Sequence, residues 1–258
     1  MLAIYKRELA SYFRSPIGWT ALALYAILGG FNFSLSMASN AVNIGEELDF
    51  LRMFFFIVIP IITMRLFSEE KKNGTEVLLF TSPVPLHMII LGKYLSALTL
   101  LLIMLSTTFI HVIVVLMLGG LINASTVGAY IGFIFIAAVF IALGVMASAV
   151  TENQIIAAVI SFGTILAMQL LQIIASSLQG VVVSVLSVLN VFNLSTETIN
   201  KAGENVAAAL KWLDPFARTN SFSVGIFRLS PLVFCASLVV LFLFLTFRIL
   251  DKKRWSQG

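Results

Sequence analysis

The chain has 258 residues, 60% of them hydrophobic and 11% charged, and a mean hydropathy of +1.04. Soluble domains carry about a quarter charged residues, so this composition excludes a water-soluble single-core domain and describes a polytopic membrane protein. The net charge is +4, but the cations flank apolar runs and form no basic stripe with interleaved aromatics, which argues against nucleic acid as a partner.

In residues 1–16, Leu2, Tyr5, Leu9, Tyr12 and Phe13 fall on one helical stripe with Lys6, Arg7 and Arg14 around it. This pattern predicts an amphipathic helix lying in the headgroup plane. The chain is then uncharged from Ser15 to Gly45, from Tyr94 to Thr151, from Asn153 to Thr196 and from Leu229 to Phe247. One span needs ~20 residues, and dividing these runs predicts six spans at 17–37, 50–67, 94–118, 127–150, 155–178 and 231–249. The predicted fold class is therefore all-α integral membrane, a single transmembrane domain over 1–258.

The cations set the orientation. Lys6, Arg7 and Arg14 precede the first span, Arg65, Lys71, Lys72 and Lys93 follow the second, and Arg248, Lys252, Lys253 and Arg254 follow the sixth. By the positive-inside rule both termini and the loop at 68–93 are cytoplasmic in the cell membrane. The second span is the most polar, since Arg52 and Arg65 bound its uncharged centre about 20 Å apart at the helical rise. Both arginines are expected to snorkel to the interfaces, and Pro60 to kink the helix between them.

The loop after this span reads Arg65-Leu66-Phe67-Ser68-Glu69-Glu70-Lys71-Lys72-Asn73-Gly74-Thr75-Glu76-Val77-Leu78-Leu79-Phe80, then Ser82-Pro83 and Gly92-Lys93. Asn73-Gly74 ends the helix leaving the membrane, Thr75 caps a short new helix to Phe80, and Ser82-Pro83 breaks it. That short helix is apolar at four consecutive positions in a charged loop and needs a protein groove or a membrane surface to cover it. Glu69 is expected to pair locally with Lys71 or Lys72. Gly92-Lys93 is no phosphate cradle, because His87 stands where the first glycine belongs and Tyr94 follows the lysine. Hydrolysis of ATP is not expected of this chain.

Within the third span His111 and Thr107 share a helical face, and an intramembrane histidine suggests a proton relay, a substrate contact or a bond to a neighbouring helix. No carboxylate lies in a span centre to partner it. Asn32, Gln169 and Gln172 are intramembrane amides that line a route or join helices; with Arg52, Thr107 and His111 they form the candidate substrate path. Gly128 with Gly132, and Gly144 with Ser148, give the small-residue spacing of close helix packing. The segment 179–230 starts apolar from Val181 to Phe192, too short to cross, and reads as an external or re-entrant helical segment before the sixth span. Two histidines and the single Cys235 are too scattered for a metal site, and no nucleophile, histidine and carboxylate set suggests an enzyme.

The loop at 65–93 resembles the coupling loop of type-2 ABC exporter permeases, which carries RLFxEEKxxGTxExLLxxSPV followed by GK. The resemblance extends to Tyr5-Lys6-Arg7-Glu8-Leu9 with Ser15-Pro16 at the start, and to Asp214-Pro215-Phe216 and Val224-Gly225-Ile226 before the last span. It includes a similarity to the gliding-motility and nitrous-oxide-reductase-maturation permeases. It implies a six-span subunit that dimerises with itself or a similar permease, and a coupling helix over Thr75, Glu76, Val77, Leu78, Leu79, Phe80 and Ser82 that docks on a separate cytoplasmic ATPase, the subunit that uses ATP and magnesium. Arg65, Glu69, Glu70, Lys72 and Gly74 would hold the helix end above it. Membrane lipid, and in some assemblies an auxiliary membrane subunit, complete the expected partners. The rival reading is a gradient-driven transporter or a structural membrane subunit, which needs a coupling carboxylate in the spans.

Overall fold

The computed structural model describes residues 1–39, 42–76, 83–189, 196–212 and 214–256. Among these residues every element is helical. In chain order they are α1 (Leu2–Arg14), α2 (Pro16–Ala38), α3 (Ile44–Met53), α4 (Phe55–Thr63), α5 (Arg65–Lys72), α6 (Leu86–Ser106), α7 (Thr108–Met117), α8 (Ala124–Val150), α9 (Gln154–Gln169), α10 (Leu171–Leu189), α11 (Thr196–Trp212), α12 (Pro215–Ser223) and α13 (Leu229–Ser256).

Four described helices are long and apolar enough to cross a membrane: Pro16–Ala38, Leu86–Met117, Ala124–Val150 and Leu229–Lys253. Two bent pairs raise the number to six if each is one span: Ile44–Met53 with Phe55–Lys72, bent by 60°, and Gln154–Gln169 with Ile173–Ser187, bent by 58°. The exposed faces of α2, α9 and α13 carry large apolar residues such as Ile27, Phe31, Val159 and Val240.

The bundle is assembled around α8, which touches α3, α4, α5, α6, α9, α12 and α13. Its small residues make this possible. A Cβ on Gly128 would stand 2.1 Å from the Phe222 carbonyl oxygen of α12, and one on Gly144 would stand 2.3 Å from Thr63 Oγ1 of α4. Phe133 and Phe140 fill the wider gaps and meet Phe55 edge-to-face at 4.8 and 6.1 Å. Close approach of backbones is what drives helix association where lipid leaves no hydrophobic gain.

The expected second span differs most. It begins at Ile44, where Asn43 accepts from the Gly45 N–H at 2.9 Å and its amide reaches Glu46 at 3.0 Å, so that part of the supposed outer loop is helix. The bend lies at Phe54 and a second break at Met64, whereas Pro60 sits inside α4. Proline has no N–H to donate to the Phe56 carbonyl, yet the helix continues through it, Met64 N donating to Pro60 O at 2.8 Å. Neither arginine snorkels freely: Arg52 and Arg65 are both buried, Arg52 paired with Asp49.

The helix that carries the expected third span, α6, starts at Leu86 and holds Lys93 within it. The expected fifth span is divided at Leu170, and the apolar stretch from Val181 is the continuation of α10, which packs along α11. Residues 190–192 of that stretch lie outside the described residues. The expected sixth span begins two residues earlier and continues beyond Ile249 as α13.

Candidate functional site

At one end of the bundle, α1 is fastened to α5 and α6 by charge. Lys93 Nζ, on a side chain 1% exposed, lies 3.0 Å from Glu8 Oε1, 2.9 Å from Glu70 Oε1 and 2.5 Å from the Leu66 carbonyl. Arg7 closes the ring by donating to Glu8 at 2.6 Å and Glu70 at 2.7 Å. Two carboxylates facing two cations leave the cluster neutral, and pairing of that kind is what allows charges to be buried. Burial pushes the Glu8 carboxyl up, yet Lys93 and Arg7 outweigh it and hold Glu8 below the ordinary carboxylate value.

Beside this ring Arg65 donates to Ser11 at 3.0 Å and Ser15 at 2.9 Å and lies 4.6 Å over the Tyr12 ring. Tyr12, fully buried, donates to the Ile62 carbonyl at 2.6 Å. The face of α1 that meets the bundle therefore runs through Ile4, Glu8, Ser11 and Tyr12, and Leu2 of the expected stripe is exposed. Gly92 permits the approach, since a Cβ there would stand 3.3 Å from Ile4.

The helix α5 is anchored from α8. Helix starts leave N–H groups without intrahelical partners, and here Ser148 Oγ accepts from the Phe67 and Ser68 N–H groups at 3.0 and 3.2 Å and donates to Met64 O at 2.9 Å. Lys71 donates to the Ala149 carbonyl. The far end of α5 closes with Gly74 at φ 68, Gly74 N on Lys71 O at 3.1 Å and Thr75 N on Glu70 O at 2.9 Å, the paired bonds of a Schellman ending. Thr75 Oγ1 also donates to Glu70 O, so the described bonds of Thr75 finish the old helix.

A cleft of about 510 Å³ opens between α1 and α5, lined by Arg7, Glu8, Arg65, Glu69, Glu70 and Thr75 among others. Of the expected coupling residues, Arg65, Glu69, Glu70 and Thr75 thus share one cleft, Lys72 and Gly74 are exposed and Glu76 is half-buried. Val77, Leu78, Leu79, Phe80 and Ser82 lie outside the described residues. Glu70, not Glu69, carries the ion pairs, because residue 70 faces α1 and α6 while Glu69 faces outward.

At the other end α2, α3 and α7 enclose a second polar group. Glu47, 2% exposed, meets His111 Nδ1 at 2.6 Å. The Phe33 ring stacks on the imidazole at 4.3 Å with an interplanar angle of 6°. Gly29 leaves room, a Cβ there lying 3.5 Å from Glu47 Oε1 and 3.7 Å from His111 Cε1. Thr108 and Tyr130 bond at 2.8 Å nearby, and Glu47 Oε2 and the Tyr25 hydroxyl are buried without partners among the described residues. The expected absence of a carboxylate for His111 is therefore corrected: Glu47, read as an outer-loop residue, enters the bundle because α3 begins at Ile44.

The remaining path candidates do not converge on it. Gln169 donates to the Arg52 carbonyl at 3.0 Å, joining α9 to α3; Thr107 donates back to Met104 at 2.7 Å, where α6 gives way to α7. Asn32 is half-buried on α2. The side chain of Gln172 is outside the described residues. Sequence reasoning missed Glu8 as the partner of Lys93, Ser148 as the anchor of α5 and Glu47 as the partner of His111. The Asn43 cap with Glu46 three residues on was the readable signal for the last.

No curated protein matches the chain. The model of the ABC-2 family transporter protein matches residues 2–254, nearly the whole chain, and the long apolar helices fit a multi-pass membrane component of a transporter. The chain belongs to the ABC-2 transporter family.

Proposed function

We propose that the chain is the membrane-spanning permease subunit of an ATP-driven exporter, working as a dimer with a separate cytoplasmic ATPase docked at residues 75–82. The resemblance to gliding-motility and nitrous-oxide-reductase-maturation permeases supports the same reading. The observation that carries it is the clamp of Arg7, Glu8, Glu70 and Lys93. It ties the root of the coupling segment to α1 and α6, so a push delivered beyond Gly74 moves three helices together. The clamp end is cytoplasmic in this reading, since the clustered cations lie there. Reversing a 1:99 population of conformers takes about 5.5 kcal/mol, within reach of nucleotide-driven closure acting on two docked subunits.

Gly30 on α2 and Gly163 on α9 have no neighbours within 4 Å of a Cβ, which suits close contact with a second copy. Gly29 and Gln169, by contrast, are used within the protomer. The rival gradient-driven reading gains a carboxylate in Glu47, and the test separates the two. With the partner ATPase co-expressed, Leu78→Asp with Leu79→Asp should abolish co-purification and transport-linked hydrolysis while membrane insertion persists, because burying unpaired carboxylates in a groove costs several kcal/mol. Full partner binding and wild-type turnover in the double variant would reject the coupling role.

A further inference from the structure

A second pocket lies at the opposite end of α8 from the clamp. There α12 sits on the start of α8 through Phe222 and Gly128, and a pocket of about 260 Å³ between α12 and the start of α13 is lined by Ala217, Arg218, Ser221, Arg228, Ser230 and Pro231. Two guanidinium groups and two hydroxyls line it, with no carboxylate.

The pocket has the parts of an oxyanion site. The Arg218 guanidinium lies 4.6 Å from the Trp212 ring centroid and 4.2 Å from that of Phe234, and its Nε donates to the Trp212 carbonyl at 2.9 Å. Among the described residues no protein acceptor takes its remaining N–H groups. A guanidinium fixed in this way presents a preformed fork, the geometry that binds phosphate oxygens in pairs. Ser221 Oγ is buried and has no partner among the described residues, an atom that a ligand oxygen would satisfy. Arg228 is exposed and lies just before α13, a helix whose first N–H groups favour an anion. Around the pocket Phe227, Leu229 and Val233 expose apolar side chains, Leu229 by 76%.

We propose that this pocket binds the phosphodiester of an anionic lipid headgroup, with Arg218 and Arg228 on the phosphate oxygens, Ser221 and Ser230 donating to them, and the acyl chains along Leu229 and Val233. The apolar skirt favours a lipid over a soluble phosphate, because a headgroup held in the pocket keeps its acyl chains along Leu229 and Val233. The assignment stands independently of the ATPase reading, since no element of the clamp contributes to it.

Native mass spectrometry of the purified protein in a neutral detergent, titrated with dioleoyl phosphatidylglycerol, tests it. Arg228 is exposed, so Arg228→Gln should fold normally, checked by its melting curve, and should weaken the first lipid adduct about tenfold, as loss of one charge-assisted bond does. Lys201→Gln on α11 removes the same charge elsewhere and should titrate as wild type. An excess of inorganic phosphate should leave the adduct in place. The proposal is overturned if Arg228→Gln binds the lipid as wild type does, if Lys201→Gln weakens it equally, or if phosphate alone strips the lipid from the protein.

Discussion

Lys93 brings together one ammonium, two carboxylates and a backbone carbonyl at distances of 2.5 to 3.0 Å. Nothing around it in sequence announces this, since Gly92-Lys93 reads as a loop dipeptide and its partners are 85 and 23 positions away. Lys93→Met should destabilise the protein by about 3–5 kcal/mol, because it strands buried carboxylates rather than merely losing an attraction. Adding Glu8→Gln and Glu70→Gln should recover most of the loss, measured by thermal unfolding in detergent. If the triple variant melts no higher than Lys93→Met, the clamp is not electrostatic. The two clamp carboxylates respond to pH with opposite sign: burial outweighs the cations at Glu70 and raises its carboxyl, whereas at Glu8 the cations win. Glu8 is held below its ordinary value, so its contribution is complete above that value and lost as pH falls through the depressed one. Acidification below the ordinary carboxylate range should therefore release α1 before the bundle melts, visible as accelerated amide exchange in residues 2–14.

At the level of elements, the α4–α5 junction shows how a break is made tolerable. Pro60 drew attention in the sequence as the place for a kink, yet the helix passes through it and breaks at Met64, where a hydroxyl from α8 receives the freed N–H groups. The spacing of Gly144 and Ser148 was legible as a close-packing stripe; that one of the two is also a cap depends on which helix lies against it. Ser148→Ala should cost about 1–3 kcal/mol by leaving buried N–H groups unpaired, read as a lower melting temperature. Unchanged melting would mean that water or a rearranged α5 replaces the hydroxyl. Ser148→Ala should also loosen the link between ATP turnover and transport if α5 transmits the push proposed above.

For the whole molecule the proposed function fixes an orientation and a copy number. In a Cys235→Ser background, a cysteine placed at exposed Lys72 should be protected from an impermeant maleimide in intact cells, and one at exposed Lys201 should react. The reverse pattern would invert the topology and place the clamp outside. Native mass spectrometry of the active complex should show two permease chains, whether identical or similar; a single chain would reject the dimer.

Composition and the uncharged runs determined by themselves that the chain is a helical membrane protein, because a span must bury about 20 consecutive apolar residues whatever surrounds it. The helix end at Asn73-Gly74 was equally legible, since glycine at a helix end is a local requirement. Tertiary structure alone decided the pairings. Lys93 with Glu8 and Glu70, Ser148 with α5, and Glu47 with His111 each join residues distant in the chain. A buried polar group must find a partner, but the sequence states only the need, and helix packing around the small residues of α8 supplies the neighbour that meets it.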